Sequence, residues 1–223
     1  MLKKRLDMIL SHIDGDAVAD IGTDHGYIPV KLALSGKVKK IIATDLNKGP
    51  LDAARKNAED NNVSFDLRLG SGLSPIEENE CDTIVIAGMG GELISEILRA
   101  DLDKAKKADR LLLQPMNSQD TLRKFLLENG FSITEEDLEV EGFKVYNLII
   151  AQKGEGEIPY DEIFWHLPES LNCHPIFPKL IKKKLHEFDK ILEGLLKAKD
   201  KDFDLIEKYQ YLKKRAVEID ESI

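Results

Sequence analysis

Three carboxylates and several glycines stand where short apolar runs of the chain end. The first group is Asp20-Ile21-Gly22-Thr23-Asp24-His25-Gly26-Tyr27-Ile28-Pro29, which closes the run Ala17–Ile21. Glycine after a strand permits a tight turn and close backbone approach to a ligand, and the free N–H groups of the next helix then face that ligand. The dinucleotide fingerprint needs three glycines at fixed spacing. Here Gly22 and Gly26 flank Asp24 where the middle glycine would stand. A diphosphate would meet that carboxylate and be repelled, so a NAD enzyme is disfavoured, while a simple turn remains an alternative for the loop.

The second group is Thr44-Asp45-Leu46-Asn47. Asp45 follows Gly22 by 23 residues, near the spacing of about 20 at which an acid accepts hydrogen bonds from a ribose diol. An N-cap for the next helix is its alternative role. Gly70-Ser71-Gly72 follows, small enough to leave room for a flat adenine. Ala87-Gly88-Met89-Gly90-Gly91 ends a fourth apolar run, and close approach to a cofactor or an acceptor base explains three glycines better than a turn does. Gln114-Pro115-Met116-Asn117 carries two amide side chains, Gln114 and Asn117, able to bond a base edge. The first three groups together describe a nucleoside-containing cofactor lying across the C-terminal edge of a parallel sheet.

The elements that must position them alternate. Strands are predicted at Ala17–Ile21, Lys40–Asp45, Ser64–Leu69, Thr83–Ala87, Arg110–Gln114, Phe131–Leu138 and Lys144–Ala151. Continuous β-branched runs such as Thr83-Ile84-Val85-Ile86 are typical of strands buried on both faces. Helices are predicted near 27–35, 50–61, 91–99 and 118–129, the last capped by Ser118 and stopped by Asn129-Gly130. The short connection 139–143 makes the last two strands an antiparallel pair. This order is an α/β, doubly wound sheet, the pattern of Rossmann-like class I methyltransferases with a seven-stranded, mostly parallel sheet.

Residues 1–152 are read as that domain and 153–223 as a C-terminal helical unit. Lys153–Pro159 is a polar linker, and Pro159, Pro168, Pro175 and Pro178 forbid a long helix before Lys179. Two amphipathic stripes follow, Ile181/Leu185/Phe188/Ile191/Leu192/Leu195 and Phe203/Ile206/Tyr209/Leu212/Ala216/Ile219. They predict an antiparallel helical hairpin, coiled-coil-like, that serves either as a dimerisation or capping element or in substrate binding.

Asp20–Pro29, Ala87–Gly91 and Leu112-Leu113-Gln114-Pro115 together resemble the bacterial tRNA (adenine(22)-N1)-methyltransferase family, and the resemblance runs through the helical hairpin. It implies an enzyme that uses S-adenosyl-L-methionine to methylate adenine N1 in the D-arm region of tRNA. It also implies that Gly22, His25 and Gly26 cradle the methionine part of the cofactor, with Asp20 also among the cofactor-binding residues. Asp45 and Leu46 would meet the ribose, Gly70, Ser71 and Gly72 would flank the adenine, and Ala87, Gly88 and Met89 would close the site. Ser71 stands where relatives often place Asp, and Met116 separates Gln114-Pro115 from Asn117, so both positions depart from the family pattern. On that reading Asp24 is the catalytic carboxylate, beside a base that becomes positively charged, with loop ordering as its alternative. Tyr27, Gln114, Asn117 and Lys182-Lys183-Lys184 are expected to contact the substrate, with a structural role the alternative for Gln114 and packing over the first helix the alternative for Tyr27. A small-molecule methyltransferase and a non-catalytic RNA-binding protein that keeps the fold are the competing readings.

Composition bounds the rest. No run reaches the roughly 18 apolar residues of a membrane span, and the start of the chain lacks a signal peptide's apolar stretch. Cys81 and Cys173 are too few for a disulfide framework. A cytoplasmic location and no membrane partner are expected. His166, Cys173, His174 and His186 lack metal-ligand spacing, and no metal is expected. The 32 basic against 41 acidic residues, net −9, argue at first against nucleic acid. Within Pro178–Lys201, however, eight lysines face four acids. Local patches attract phosphate, whatever the net charge, so tRNA remains the expected partner, and the oligomeric state is open.

Overall fold

A computed structural model describes residues 4–223. Seven strands form one sheet: β1 (Ala17–Ile21), β2 (Lys40–Asp45), β3 (Asp66–Leu69), β4 (Thr83–Met89), β5 (Arg110–Pro115), β6 (Phe131–Glu141) and β7 (Lys144–Lys153). Their spatial order is β3-β2-β1-β4-β5-β7-β6. β1 to β5 are parallel, and β7 runs antiparallel to both β5 and β6. This is the expected Rossmann-like methyltransferase sheet. Chain direction reverses its outward progress between β1 and β4, which opens a crevice at their C-terminal ends.

The period-two alternation of the strands feeds two cores. Ile84, Ile86, Leu111, Leu113, Ile149 and Ala151 pack on one face of the sheet, against α4 (Gly91–Ala100), α5 (Leu102–Ala105) and α6 (Gln119–Glu128). Val85, Leu112, Leu148 and Ile150 point the other way, toward α1 (Lys4–Ser11), α2 (Tyr27–Ser35) and the neighbouring loops. Between β2 and β3 the chain runs through α3 (Lys48–Asp60).

Several boundaries differ from the sequence reading. β3 begins at Asp66 and not at Ser64, because residues 61–63 are still leaving α3: Asn62 takes φ 53° and the Val63 amide donates to the Ala58 carbonyl. β6 extends to Glu141 across a bulge at Ile133–Glu135, leaving only Gly142-Phe143 as the turn into β7. Gly142 has φ 62°, as such a two-residue turn requires. Ser118 does not cap α6 with its side chain; it is left-handed, with φ 49°, and its carbonyl accepts from the Leu122 amide. Helix α1 has no counterpart in the sequence reading. It buries Leu6, Met8 and Ile9 over the sheet.

At the far edge, two 3-10 turns (Glu162–Trp165 and Glu169–Leu171) lead to α7 (Phe177–Lys197) and α8 (Phe203–Ser222), an antiparallel pair. Phe203, expected within the apolar stripe, is exposed; the stripe of α8 buries Ile206, Leu212 and Ala216 instead. The Asp202 carboxylate accepts from the Leu205 amide and starts the helix there, so Phe203 falls in the first turn beyond the packed region. Leu138 of β6 and Val145 of β7 belong to the same cluster as Phe177, Ile181, Phe188 and Leu212. The helical pair therefore shares its core with the sheet's last hairpin.

One buried ion pair reinforces that union. Arg123 of α6 donates through Nε to Glu136 of β6 (2.9 Å) and through Nη1 to the Trp165 carbonyl (2.7 Å). Both side chains of the pair are almost fully buried. Removing one partner of a buried pair leaves the other charge uncompensated. Arg123→Ala is expected to lower unfolding stability by roughly 3–5 kcal/mol, read by urea denaturation.

Candidate active site

The loops at the C-terminal ends of β1, β2 and β4 enclose a cavity of about 320 Å³. Its walls are Asp20, Gly22, Thr23, Asp24, Tyr27, Ile28, Asp45, Ala87, Gly88 and Met89, closed by Arg5 and Leu6 of α1. The size falls at the small end of ordinary ligand pockets. The β1 and β2 loops are tied together by backbone: the amides of Gly22 (2.8 Å) and Thr23 (2.9 Å) both donate to the Thr44 carbonyl. Gly22, Asp24 and Gly26 all have left-handed backbone, with φ of 72°, 52° and 67°. Asp tolerates that region better than most side chains. A Cβ on Gly26 would lie 2.9 Å from the Ala54 Cβ, so glycine there serves the packing of α3. A Cβ on Gly22 would lie 2.1 Å from the methyl of Met89, a flexible group at the cavity wall.

Three carboxylates surround this space. Asp20 is buried, and its Oδ2 accepts from Thr23 Oγ1 at 2.6 Å. Burial pushes its carboxyl up to about 6; the Thr23 hydrogen bond opposes this, and the charge of Asp45 adds to it. Asp45 accepts from the Asn47 amide (2.9 Å) and, more weakly, from the Asp24 amide (3.4 Å). Its side chain bridges two loops, and no side chain caps α3. The Asp24 side chain is 72% exposed and stands 3.6 Å from His25, itself 53% exposed. His25 and Tyr27 place their rings 5.5 Å apart, and Tyr27 is half exposed at the cavity mouth.

The other expected site residues are placed as follows. Leu46 is exposed beside Asp45 and outside the cavity wall. Gly70, Ser71 and Gly72 also lie outside that wall, although the Gly70 amide donates to the Asp45 carbonyl at 3.0 Å. A Cβ on Gly70 would crowd Pro75, and one on Gly72 would crowd Ile97, so internal packing already explains both glycines. Gly88, with φ 81°, lines the cavity. Gly91 answers to another constraint: a Cβ there would lie 2.1 Å from the Ser118 carbonyl oxygen.

Two expectations are corrected. Gln114 is fully buried and presents no amide to a base edge: its Nε2 donates to the Pro115 carbonyl and its Oε1 accepts from Arg5 Nη1 at 3.1 Å. Lys184 is buried and donates to Gln119 (3.3 Å) and Glu187 (2.9 Å). Of the triple-lysine run, Lys183 reaches the Val145 carbonyl (3.3 Å), and Lys182 alone is exposed. Helical spacing points successive residues in different directions, so three in a row do not make one patch. Asn117 is exposed, with its Oδ1 against Gly90.

Arg5, Leu6, Thr23 and Ile28 line the cavity without having been singled out. Thr23 was discoverable, three residues from Asp20 within the same motif. Arg5 had no local signal, since its partner Gln114 is 109 positions away. Among the described residues, no group of three or more His, Cys, Asp or Glu is placed to hold a metal ion, and no helix is long and apolar enough to cross a membrane.

A family described as "Methyltransferase domain" matches residues 2–149. The tRNA (adenine(22)-N(1))-methyltransferase of Bacillus subtilis is 37% identical over 165 residues, 73% of this chain and 69% of the relative. The chain belongs to the tRNA (adenine(22)-N1)-methyltransferase family. A Streptococcus pneumoniae protein of that kind, Sp1610, solved in complex with S-adenosyl-L-methionine, superposes with a TM-score of 0.85 at 30% identity, covering 99% of this chain and 100% of that one. Mycoplasma capricolum TrmK, solved with the cofactor product S-adenosyl-homocysteine, gives 0.79 at 26% identity over 100% and 97%. These matches include α7 and α8, so the helical pair is part of the family's architecture.

The raised pKa of Asp20 has a measurable sign. A carboxyl whose folded pKa exceeds its unfolded value binds more protons when folded, so its contribution to stability is lost as pH rises from about 4 to about 6. Asp20→Asn is expected to match the wild type near pH 4 and to exceed it by roughly 2–3 kcal/mol above pH 6.5 without ligand. Paired denaturation curves across that range check it; a constant difference would refute it.

Proposed function

We propose that this chain transfers the methyl group of S-adenosyl-L-methionine to N1 of an adenine in tRNA, adenine 22 as in its relatives' names. The observation that carries this reading is the cavity bounded by Asp20, Asp24 and Asp45 at the switch point of the sheet. A diphosphate is repelled there. A ligand with an ammonium, a sulfonium and a ribose diol suits it, because a cation relieves the cost of burying Asp20 and a carboxylate accepts from hydroxyls. The cofactor supplies a methyl group on a positively charged sulfur.

The chain's own residues do the remaining work. Asp20 holds the cationic end of the cofactor, with Thr23 fixing its orientation. Asp45 takes the ribose hydroxyls, with Leu46, Gly70, Ser71 and Gly72 on the adenine side. Gly22, His25 and Gly26 form the loop that lets backbone approach, and Ala87, Gly88 and Met89 form the opposite wall. Adenine N1 has a neutral in-plane lone pair, so no base is needed before attack. Alignment with the methyl–sulfur axis dominates the rate enhancement. Positive charge moves onto the base during transfer, and the exposed Asp24 carboxylate at the cavity mouth stabilises it. N1 lies on the Watson–Crick edge, so the target must leave its pair and stack, and Tyr27 offers a ring beside the opening. A tRNA substrate and the free thiols Cys81 and Cys173 support action in the cytoplasm.

Incubation of the protein with S-adenosyl-L-methionine and tRNA lacking the modification, followed by mapping of the modified base, tests the assignment. One methyl group at N1 of adenine 22 is expected; methyl transfer to small molecules with none to tRNA would overturn it. Asp24→Ala is expected to lose at least about 100-fold in single-turnover rate while cofactor affinity stays within several-fold. Near-normal turnover would leave Asp24 as a loop-ordering residue.

A further inference from the structure

The turn Gly142-Phe143 between β6 and β7 places an aromatic ring fully in solvent, at 107% relative exposure. An exposed phenylalanine at the tip of a two-residue turn contributes nothing to the core. Its surroundings are cationic. A groove of about 530 Å³ runs from Phe143 between Val140 and Val145 to Lys179, Lys182 and His186 on α7. Lys144 follows Phe143 directly. Among the described residues, Lys144, Lys179 and Lys182 are exposed and make no ion pair. Glu141 precedes the turn, and Glu187 of α7 stands 3.9 Å from Lys183 and 2.9 Å from Lys184. The Lys183 hydrogen bond to the Val145 carbonyl fastens α7 to the start of β7, so tip and lysines keep a fixed relation.

The tip also lies on the side of the molecule where the chemistry is. β7 runs antiparallel to β5 with Leu113 opposite Ile149, so the start of β7 extends beyond the C-terminal end of β5, the edge that carries the cavity. Arg5 joins the two places: it lines the cavity, and its guanidinium carbon stands 5.6 Å from the Tyr146 ring centroid, three residues from Phe143.

We propose that Phe143 is a stacking platform for an unpaired base of the tRNA substrate, with Lys144, Lys179 and Lys182 holding the flanking phosphates. The inference rests on the functional reading above and names the surface that captures the substrate. A lone ring amid lysines matches single-stranded nucleic acid, which needs one π-face and a positive track. A protein partner would call for a larger apolar patch.

The test is titration of an unmodified tRNA transcript with the full chain by fluorescence anisotropy at several salt concentrations, with cofactor affinity and methyl transfer measured in parallel. Phe143→Ala is expected to weaken tRNA binding about ten-fold and leave cofactor affinity unchanged, while Phe143→Trp retains binding. Lys179→Ala with Lys182→Ala should reduce the salt dependence of log Kd by roughly 1–2 in slope. Equal tRNA affinity of Phe143→Ala and wild type overturns this inference while methylation stands on its own assay. A wild-type chain that binds no tRNA overturns both. A chain that binds through Phe143 yet transfers no methyl group keeps this inference and loses the functional reading.

Discussion

The site depends on a carboxylate buried where the surrounding layers offer it little solvation. Asp20 is the penultimate residue of β1, whose neighbours on both faces are aliphatic, and among the described residues the Thr23 hydroxyl is its one hydrogen-bonding side chain. Asp45, on the adjacent strand, adds repulsion. Left free, the two loops would relax apart. They are held by the Thr44 carbonyl, which accepts from both Gly22 and Thr23, and by Asp45, which accepts from Asp24 and Asn47. Within that tethered segment Gly22 and Asp24 take left-handed backbone. A pocket preorganised in this way favours a cation and rejects phosphate, a selectivity set by the residues that close the turn.

The opposite wall obeys a different constraint, contact between two loops. The Gly91 amide donates to the Asn117 carbonyl, and the Met116 amide donates to the Met89 carbonyl. This contact leaves no room for a side chain at Gly91 and little at Gly90. The glycine cluster 88–91 is therefore not one feature. Gly88 turns the backbone at the cavity, and Gly90 and Gly91 let the β4 and β5 loops lock together. Glycines spaced this closely look alike in a sequence because absence of a side chain does not say which neighbour requires it.

What was legible follows the range of the interactions involved. Strand identity, sheet class and the three loop motifs depend on local periodicity and on residue type, and both survive in a linear reading. Asp20, Asp24 and Asp45 were found because carboxylates after strands have a narrow set of uses. The missed pieces are long-range or short. Helix α1 spans two turns, too few for a 3.6-residue period to stand out. Its Arg5 gains meaning only beside Gln114, Met116 and Tyr146. Gln114 was misread for the complementary reason: an amide near a strand end looks available until a partner from elsewhere occupies it.

Charge followed the same logic at the level of the whole surface. A run of three lysines on α7 looked like the RNA contact, but helical geometry sends one into the core, one to the β7 backbone and one outward. The linear count overstated that patch and gave no hint that Lys144 and Phe143, on a distant turn, would stand beside the remaining lysines. The shared core of α7, α8 and the β6–β7 hairpin explains why these belong together: Leu138 and Val145 are covered by Phe177, Ile181, Phe188 and Leu212. Deleting the helices would expose those strand residues, so a truncation would disturb the sheet along with any RNA contact. The cationic surface is a joint product of two segments, and point changes on its exposed side chains separate binding from folding where removal of the unit cannot.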